Sequence, residues 1–388
     1  MKRISLALVI VFAFAAAGGV AAEGLDFSFN GVRLNSALLP IPLPTGAEVE
    51  FRYGIGELGG KPLALSLALA GGYEDKRILR NDLTGDPVAA PTGSLKDSGG
   101  YRFHSPNFQW DLGLVQGFAA KEKGNLAEAF LLYRGRFDYY DTSLQAAAFS
   151  DMKGLFGTSV MAGAAYLGVE RDTRRVKSGA AAELSAEWGP AALNSSYGGE
   201  TDFHRLNLKA QGFLPLFSLG QAADGSKNLL SSYLAGYASV DYAGGAADGA
   251  DIPVYVLQSF GGRELRNTLG GSVRGYAYKG YDSGLKAVAS AELRLLGPAM
   301  LDQAWFLPIL YCFVDAGAYS GLPGATTAAW RDAKGSIMSA GGGLVLDVFD
   351  FAYVGAYAGM KLPGDDPLYD LYGETDAFFW SIQFLLHF

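Results

Sequence analysis

LKAVASAELRL, residues 285–295, is read with a period of two. Leu285, Ala287, Ala289, Ala291, Leu293 and Leu295 fall on one face, and Lys286, Ser290, Glu292 and Arg294 fall on the other. Successive side chains of a strand point to opposite faces, so this pattern describes a strand with one apolar and one charged side. Such a strand suits a half-buried soluble sheet, or a transmembrane barrel whose outside meets lipid and whose lumen meets water.

The same alternation recurs along the chain. Val49, Phe51, Tyr53 and Ile55 interleave with Glu48, Glu50, Arg52 and Gly54. Phe108, Trp110 and Leu112 alternate with Gln109 and Asp111, and Leu131, Tyr133, Phe137 and Tyr139 with Arg134, Arg136 and Asp138. Composition agrees: of 388 residues only 18% are charged, while 53 are Gly, 21 Tyr and 24 Phe, which suits strands and turns rather than amphipathic helices. A formal net charge of -8 argues against a grip on nucleic acid, which needs a basic face to release counterions. The single cysteine, Cys312, has no partner for an internal disulfide.

At the N-terminus Lys2 and Arg3 precede the apolar run ISLALVIVFAFAAAGGVAA, and Val20, Ala21 and Ala22 place small residues before Glu23. That is the pattern of a cleaved export signal. The run approaches the length of a membrane span, but it loses bulk toward its end and passes at once into strand-like sequence. No cysteine stands near the cleavage point to take a lipid anchor. Residues 1–22 are therefore read as a signal peptide and 23–388 as a single barrel domain, with no later run of about 18 apolar residues to make a helical span.

The end of the chain favours the membrane. In FFWSIQFLLHF, residues 378–388, one face collects Phe378, Trp380, Ile382, Phe384, Leu386 and Phe388. In water such a strand would invite aggregation, whereas in lipid it is a satisfied outer face. Trp380, Phe384 and the terminal Phe388 resemble the sorting signal of bacterial outer-membrane barrels. Strands are expected at 25–34, 47–56, 62–72, 106–118, 127–138, 157–169, 178–188, 190–198, 203–213, 231–241, 252–260, 285–296, 306–318, 336–347, 350–361 and 377–388. The fold class is thus all-β, a transmembrane antiparallel barrel of about 16 strands, with fourteen as the alternative.

One glycine-rich connection stands out between the eleventh and twelfth of these strands. Gly270, Gly271 and Ser272 lead into Val273, Arg274, Gly275 and Tyr276. Glu292 follows on the polar face of the next strand, and Asp315 and Gly317 come in the strand after, sharing a face with Tyr311 and Phe313. These residues resemble the bacterial surface antigen (D15) superfamily that includes BamA, TamA and the two-partner secretion transporters. The resemblance covers roughly 265–388. It implies an inward-folded sixth extracellular loop whose arginine, Arg274, pairs with the lumen carboxylates Glu292 and Asp315. A guanidinium that keeps its charge and offers a fixed fork of donors suits two carboxylates.

Family members place periplasmic POTRA modules before the barrel, and between Glu23 and the first strands there is too little chain for one. The sequence thus resembles a barrel-only member, with client docking absent or delegated to a separate periplasmic POTRA-bearing or chaperone protein. The resemblance implies insertion or translocation of protein or lipid-linked clients at the outer membrane, with unfolded protein and outer-membrane lipid as partners. The alternative is a passive pore or structural surface barrel. No cofactor or metal is expected: the three histidines, His104, His204 and His387, show no metal-site spacing. A hydrolase would have to rest on His204 near Ser195 and Ser196, and the reading is that the chain is not an enzyme. The charged stretches YEDKRILRNDLTGD and ERDTRRVK are read as solvated turns.

Overall fold

The computed structural model describes residues 25–35, 43–78, 80–81, 84–89, 101–120, 125–138, 155–171, 176–194, 201–221, 228–245, 251–257, 273–276, 281–298, 306–348, 352–364, 366–371 and 376–386. The expected signal peptide, 1–22, and Phe388 lie outside them. The strands are β1 (Leu25–Asn35), β2 (Leu43–Leu58), β3 (Lys61–Ile78), β4 (Tyr101–Ala120), β5 (Asn125–Asp138), β6 (Leu155–Leu167), β7 (Glu170–Arg171), β8 (Lys177–Gly189), β9 (Phe203–Gln221), β10 (Asn228–Gly245), β11 (Leu285–Leu296), β12 (Phe306–Ser320), β13 (Lys334–Val348), β14 (Ala352–Pro363) and β15 (Phe378–Leu386). All but the two-residue β7, which pairs with β8, follow one another in chain order in one sheet, each antiparallel to the next. That is the meander of an up-and-down barrel. Among the described residues the pairing runs from β1 to β15 with no bond closing the ring.

Connections differ sharply between the two ends. At one end they are tight: β2 turns into β3 through Gly59 and Gly60 alone, with φ of 62° and 72°. Two successive positive φ values make the turn whose twist matches the flanking strands, and glycine adopts them without a Cβ clash. At the other end lie the connection 36–42 and the longer connections 79–100, 139–154, 190–202, 246–284, 321–333 and 364–377. Among the described residues four of these carry short helices: α1 (Ala191–Asn194), α2 (Val254–Leu257), α3 (Ala328–Arg331) and α4 (Pro367–Leu371).

Burial is inverted relative to a soluble protein. Asp138, Asp241, Asp315, Asp347 and Lys286 are fully buried, while Leu214, Leu310, Trp188 and Trp380 are more than half exposed. A sheet that hides its charges and presents Leu, Phe and Trp is stable only where the surrounding solvent is apolar. Along β12 the alternation is plain: Tyr311, Phe313 and Asp315 are buried, and Leu310, Cys312 and Val314 are exposed.

Two expected strands carry helical turns where they are described. In 190–198 the carbonyl of Pro190 accepts the N–H groups of Leu193 and Asn194, and in 252–260 the carbonyl of Pro253 accepts those of Val256 and Leu257. Proline has no N–H for a ladder and a φ already suited to the start of a helix, so each segment begins a helical turn where the apolar pattern suggested a strand. Losing the first reverses the directions of β9 and β10 relative to expectation, and losing the second restores them. Residues 214–221 and 228–230, expected as loop, instead prolong β9 and β10. The connection bearing Arg274 therefore stays at the long-connection end but counts as the fifth there, on the described strands, rather than the sixth. The strands β3 and β4 likewise extend into the expected loop 73–105, pairing Tyr73 with Pro106 through Ile78 with Tyr101.

Candidate functional site

Strand register builds the receiving surface. Between β11 and β12, Ser290 lies opposite Asp315 and Glu292 opposite Phe313. Because side chains two apart share a face, these four form one patch on the buried side of the sheet. Asp315 is fully buried and Glu292 nearly so.

Residues 273–276 descend onto that patch. Arg274 grips Asp315 with two donors, Nε to Oδ2 at 2.6 Å and Nη2 to Oδ1 at 2.7 Å. Its Nη1 donates to Glu292 Oε1 at 2.7 Å, Nη2 also to Ser290 Oγ at 3.2 Å, and its backbone N–H to Asp315 Oδ2 at 3.1 Å. The guanidinium carbon lies 3.6 Å from the centroid of the Phe313 ring. Parallel charge-assisted bonds over an aromatic face make full use of arginine's planar geometry, which a lysine ammonium would not reproduce.

The neighbouring residues hold the peptide in place. Val273 and Tyr276 are buried, and the Tyr276 hydroxyl donates to the carbonyl of Met338 in β13 at 2.9 Å. Gly275 has φ 90°, and a Cβ added there would lie 2.4 Å from Cδ1 of Phe379 in β15. Glycine is thus required twice, by the backbone conformation and by the ring of the last strand. The four-residue motif consequently touches β11, β12, β13 and β15.

Sequence reasoning missed several contributors. Arg294 donates to Glu292 Oε2 through Nε at 2.7 Å and to the Tyr233 hydroxyl at 3.2 Å, so Glu292 bridges two arginines. Its place two residues from Glu292 on the polar face was the available signal. Ser290 donates to Asp315 Oδ1 at 2.7 Å. Arg80, read as part of a solvated turn, is fully buried: it bonds the Asp282 carboxylate at 3.1 Å, the Asp282 carbonyl at 2.9 Å and the Gly85 carbonyl at 2.7 Å. Beside it Asp86 accepts from the Thr327 hydroxyl at 2.5 Å and amide at 3.0 Å. These contacts tie three long connections together, and nothing local in the sequence marks them.

Other expected residues lie apart from this site. Trp380 is exposed on the outer face of β15, and Phe384 stands opposite Val354 in the β14 and β15 pairing. His204 is exposed on β9, its ring 5.8 Å from that of Tyr242, and Ser195 and Ser196 lie outside the described residues. Among the described residues no group of three or more His, Cys, Asp or Glu side chains is placed to hold a metal ion. The arrangement around Arg274 is suited to anchoring a loop on a wall.

Comparison with known proteins finds a family model that matches part of the chain. The sequence profile of the Omp85 superfamily domain matches residues 164–353, from the end of β6 into β14. No curated protein matches the chain. Among solved structures, the chain is similar to BamA from Haemophilus ducreyi lacking POTRA domains 1–3, at 15% identity and a TM-score of 0.49, over 88% of this chain. The match spans 62% of that BamA chain.

Proposed function

We propose that this chain, which carries an Omp85 superfamily domain at residues 164–353, is an integral barrel of the bacterial outer membrane that inserts or translocates protein or lipid-linked clients. The observation that carries the reading is the grip of Arg274 on Asp315 and Glu292, at 2.6 and 2.7 Å, by a loop folded back onto the buried face of β11 and β12. In this reading Val273, Arg274, Gly275 and Tyr276 form the anchor, with Glu292 and Asp315 as its lumen partners. Residues 1–22 direct export, and Trp380, Phe384 and Phe388 form the sorting signal. Unfolded protein is the client class, and a separate periplasmic POTRA-bearing or chaperone protein delivers it.

Depletion of the protein, rescued in parallel by wild type and by Arg274→Ala, tests the proposal through the outer-membrane proteome. The expected result is selective loss of other barrels or of one exported protein, restored by wild type and not by the alanine variant. A proteome unchanged on depletion would overturn client handling and leave a passive or structural barrel.

A further inference from the structure

We infer that the strand edge Leu214–Gln221 of β9 is a docking edge for an extended, uncharged, apolar segment of an unfolded polypeptide. The inference deepens the reading above by naming a place on the barrel where such a client is held.

A split in the wall, at the end of the tight connections, sets this edge free. β8 follows β9 from Gly189 opposite Phe203 to Gly179 opposite Phe213, and there, among the described residues, their pairing stops. On its other side β9 runs on with β10 as far as Gln221 opposite Asn228. Two features of the sequence end the ladder to β8. Pro215 has no N–H with which to extend it. Gly179 has φ 87°, and a Cβ there would lie 2.1 Å from the carbonyl oxygen of Gly168, so the chain folds tightly between β6 and β8 where only glycine fits. Val169 and Val176, on either side of that fold, pack with Phe213, Tyr233 and Tyr237 on the buried face. The turn into β8 therefore leans toward the buried face while β9 and β10 continue past it.

The freed stretch differs from the rest of its strand. From Phe203 to Leu208 buried and exposed residues alternate, whereas Leu214 through Gly220 are exposed one after another, on both faces. Leu214 is 59% and Leu219 57% exposed, with Leu216 and Phe217 exposed between them. The sequence LPLFSLGQ holds no charge. An unpaired edge is a template for another strand, and below Pro215 this one lacks the charges that commonly keep a second strand away.

The chemistry of the edge selects its occupant. Free backbone N–H and C=O groups are met by another backbone, which a lipid chain does not offer. Leu214, Leu216, Phe217 and Leu219 favour apolar side chains and penalise a charge, since no side chain of the edge would pair with it. A second copy of this chain fits poorly. Barrels in one membrane share an orientation, so a two-fold axis along its normal brings two β9 edges together running the same way, with like groups facing like.

The test uses the purified full-length protein in lipid nanodiscs and a fluorescein-labelled peptide of residues 231–240, SSYLAGYASV, which is uncharged and alternating. Eight residues of strand span roughly 26 Å, so ten cover the edge. Saturable binding is expected by fluorescence anisotropy. Leu216→Lys combined with Leu219→Lys should weaken it about tenfold or more through lost apolar burial. The same peptide N-methylated at residues 233–238 keeps its side chains but loses its donors, and should bind wild-type protein about tenfold less tightly. In a Cys312→Ser background the peptide should slow maleimide labelling of Ser218→Cys and leave Ala192→Cys, in a long connection at the opposite end, unaffected. Circular dichroism and gel mobility before and after heating establish that each variant is folded.

Equal binding of the N-methylated peptide would overturn pairing through the backbone, and this result needs no variant to fold. Unprotected Ser218→Cys at saturating peptide, or undiminished binding to the folded lysine variant, would overturn the location. The two readings fail separately. A peptide that does not bind, beside loss of other barrels on depletion, removes the docking edge and spares client handling; binding at Ser218 beside an unchanged proteome does the reverse.

Discussion

Arg274→Ala is the most informative single change, and its cost can be worked through partner by partner. Glu292 keeps Arg294, which donates to its other oxygen at 2.7 Å. Asp315 fares worse: fully buried, it keeps the Ser290 hydroxyl at 2.7 Å and the backbone N–H of residue 274 at 3.1 Å, but loses the guanidinium that pairs with it. Orphaning a buried charge in this way costs about 3 to 5 kcal/mol. That is a large share of a typical stability of about 5 to 15 kcal/mol. If the charge on Asp315 is the source of the cost, removing it first should blunt the effect. In an Asp315→Asn background the same arginine deletion should cost only about 1 to 2 kcal/mol, mainly neutral hydrogen bonds. The expected coupling is therefore roughly 2 to 3 kcal/mol, within the range for residues in direct contact. Urea unfolding of the four proteins of the cycle, refolded into lipid vesicles, measures it, with hydrogen exchange at 273–276 showing whether the loss is local. Additivity within about 0.5 kcal/mol would refute the reasoning, because it would mean that the two side chains do not depend on one another.

Two further expectations concern the surroundings of that site. Gly275→Ala should destabilise the loop by about 1 to 3 kcal/mol through its backbone conformation, with a steric part against Phe379 besides; adding Phe379→Ala should recover the steric part only, and a thermally neutral Gly275→Ala would contradict the contact with β15. The tie between Asp86 and Thr327 should depend on pH. Burial pushes the Asp86 carboxyl up, but the hydrogen bonds from Thr327, with those of Thr84 and the charge of Arg80, hold the group below its usual value. An acid depressed in the folded state stabilises above its unfolded value, about pH 4, and loses that contribution as pH falls through the folded value. Exchange protection of the Thr327 amide, corrected for intrinsic rate, should decline in that range, and protection independent of pH down to 2 would count against the tie.

How the anchor was legible is a matter of parity. Glu292 and Asp315 fall on the buried faces of β11 and β12 because a strand's side chains alternate, and the alternation is written in LKAVASAELRL and its neighbour. Arg274 stood out by its glycine-rich setting. What parity does not contain is register, which aligns Ser290 with Asp315 and makes one patch of four side chains. Nor does it show that Phe379, more than a hundred residues on, lies over Gly275.

Local pattern therefore determined much about this protein: strands along most of its length, an inside-out distribution of charge, and the residues that anchor the loop. Those are properties of a two-residue period, and any stretch of chain carries its own. The tertiary structure alone decided that Ala191–Asn194 and Val254–Leu257 are helical turns rather than wall strands, since a short apolar run following a proline can take either form, and at the second the choice rests on partners such as Lys286 and Phe203 supplied from elsewhere. It also decided that Arg80 is buried among three connections rather than solvated. Burial of a charge depends on which distant carboxylates and carbonyls close around it, and that information resides in the folded chain.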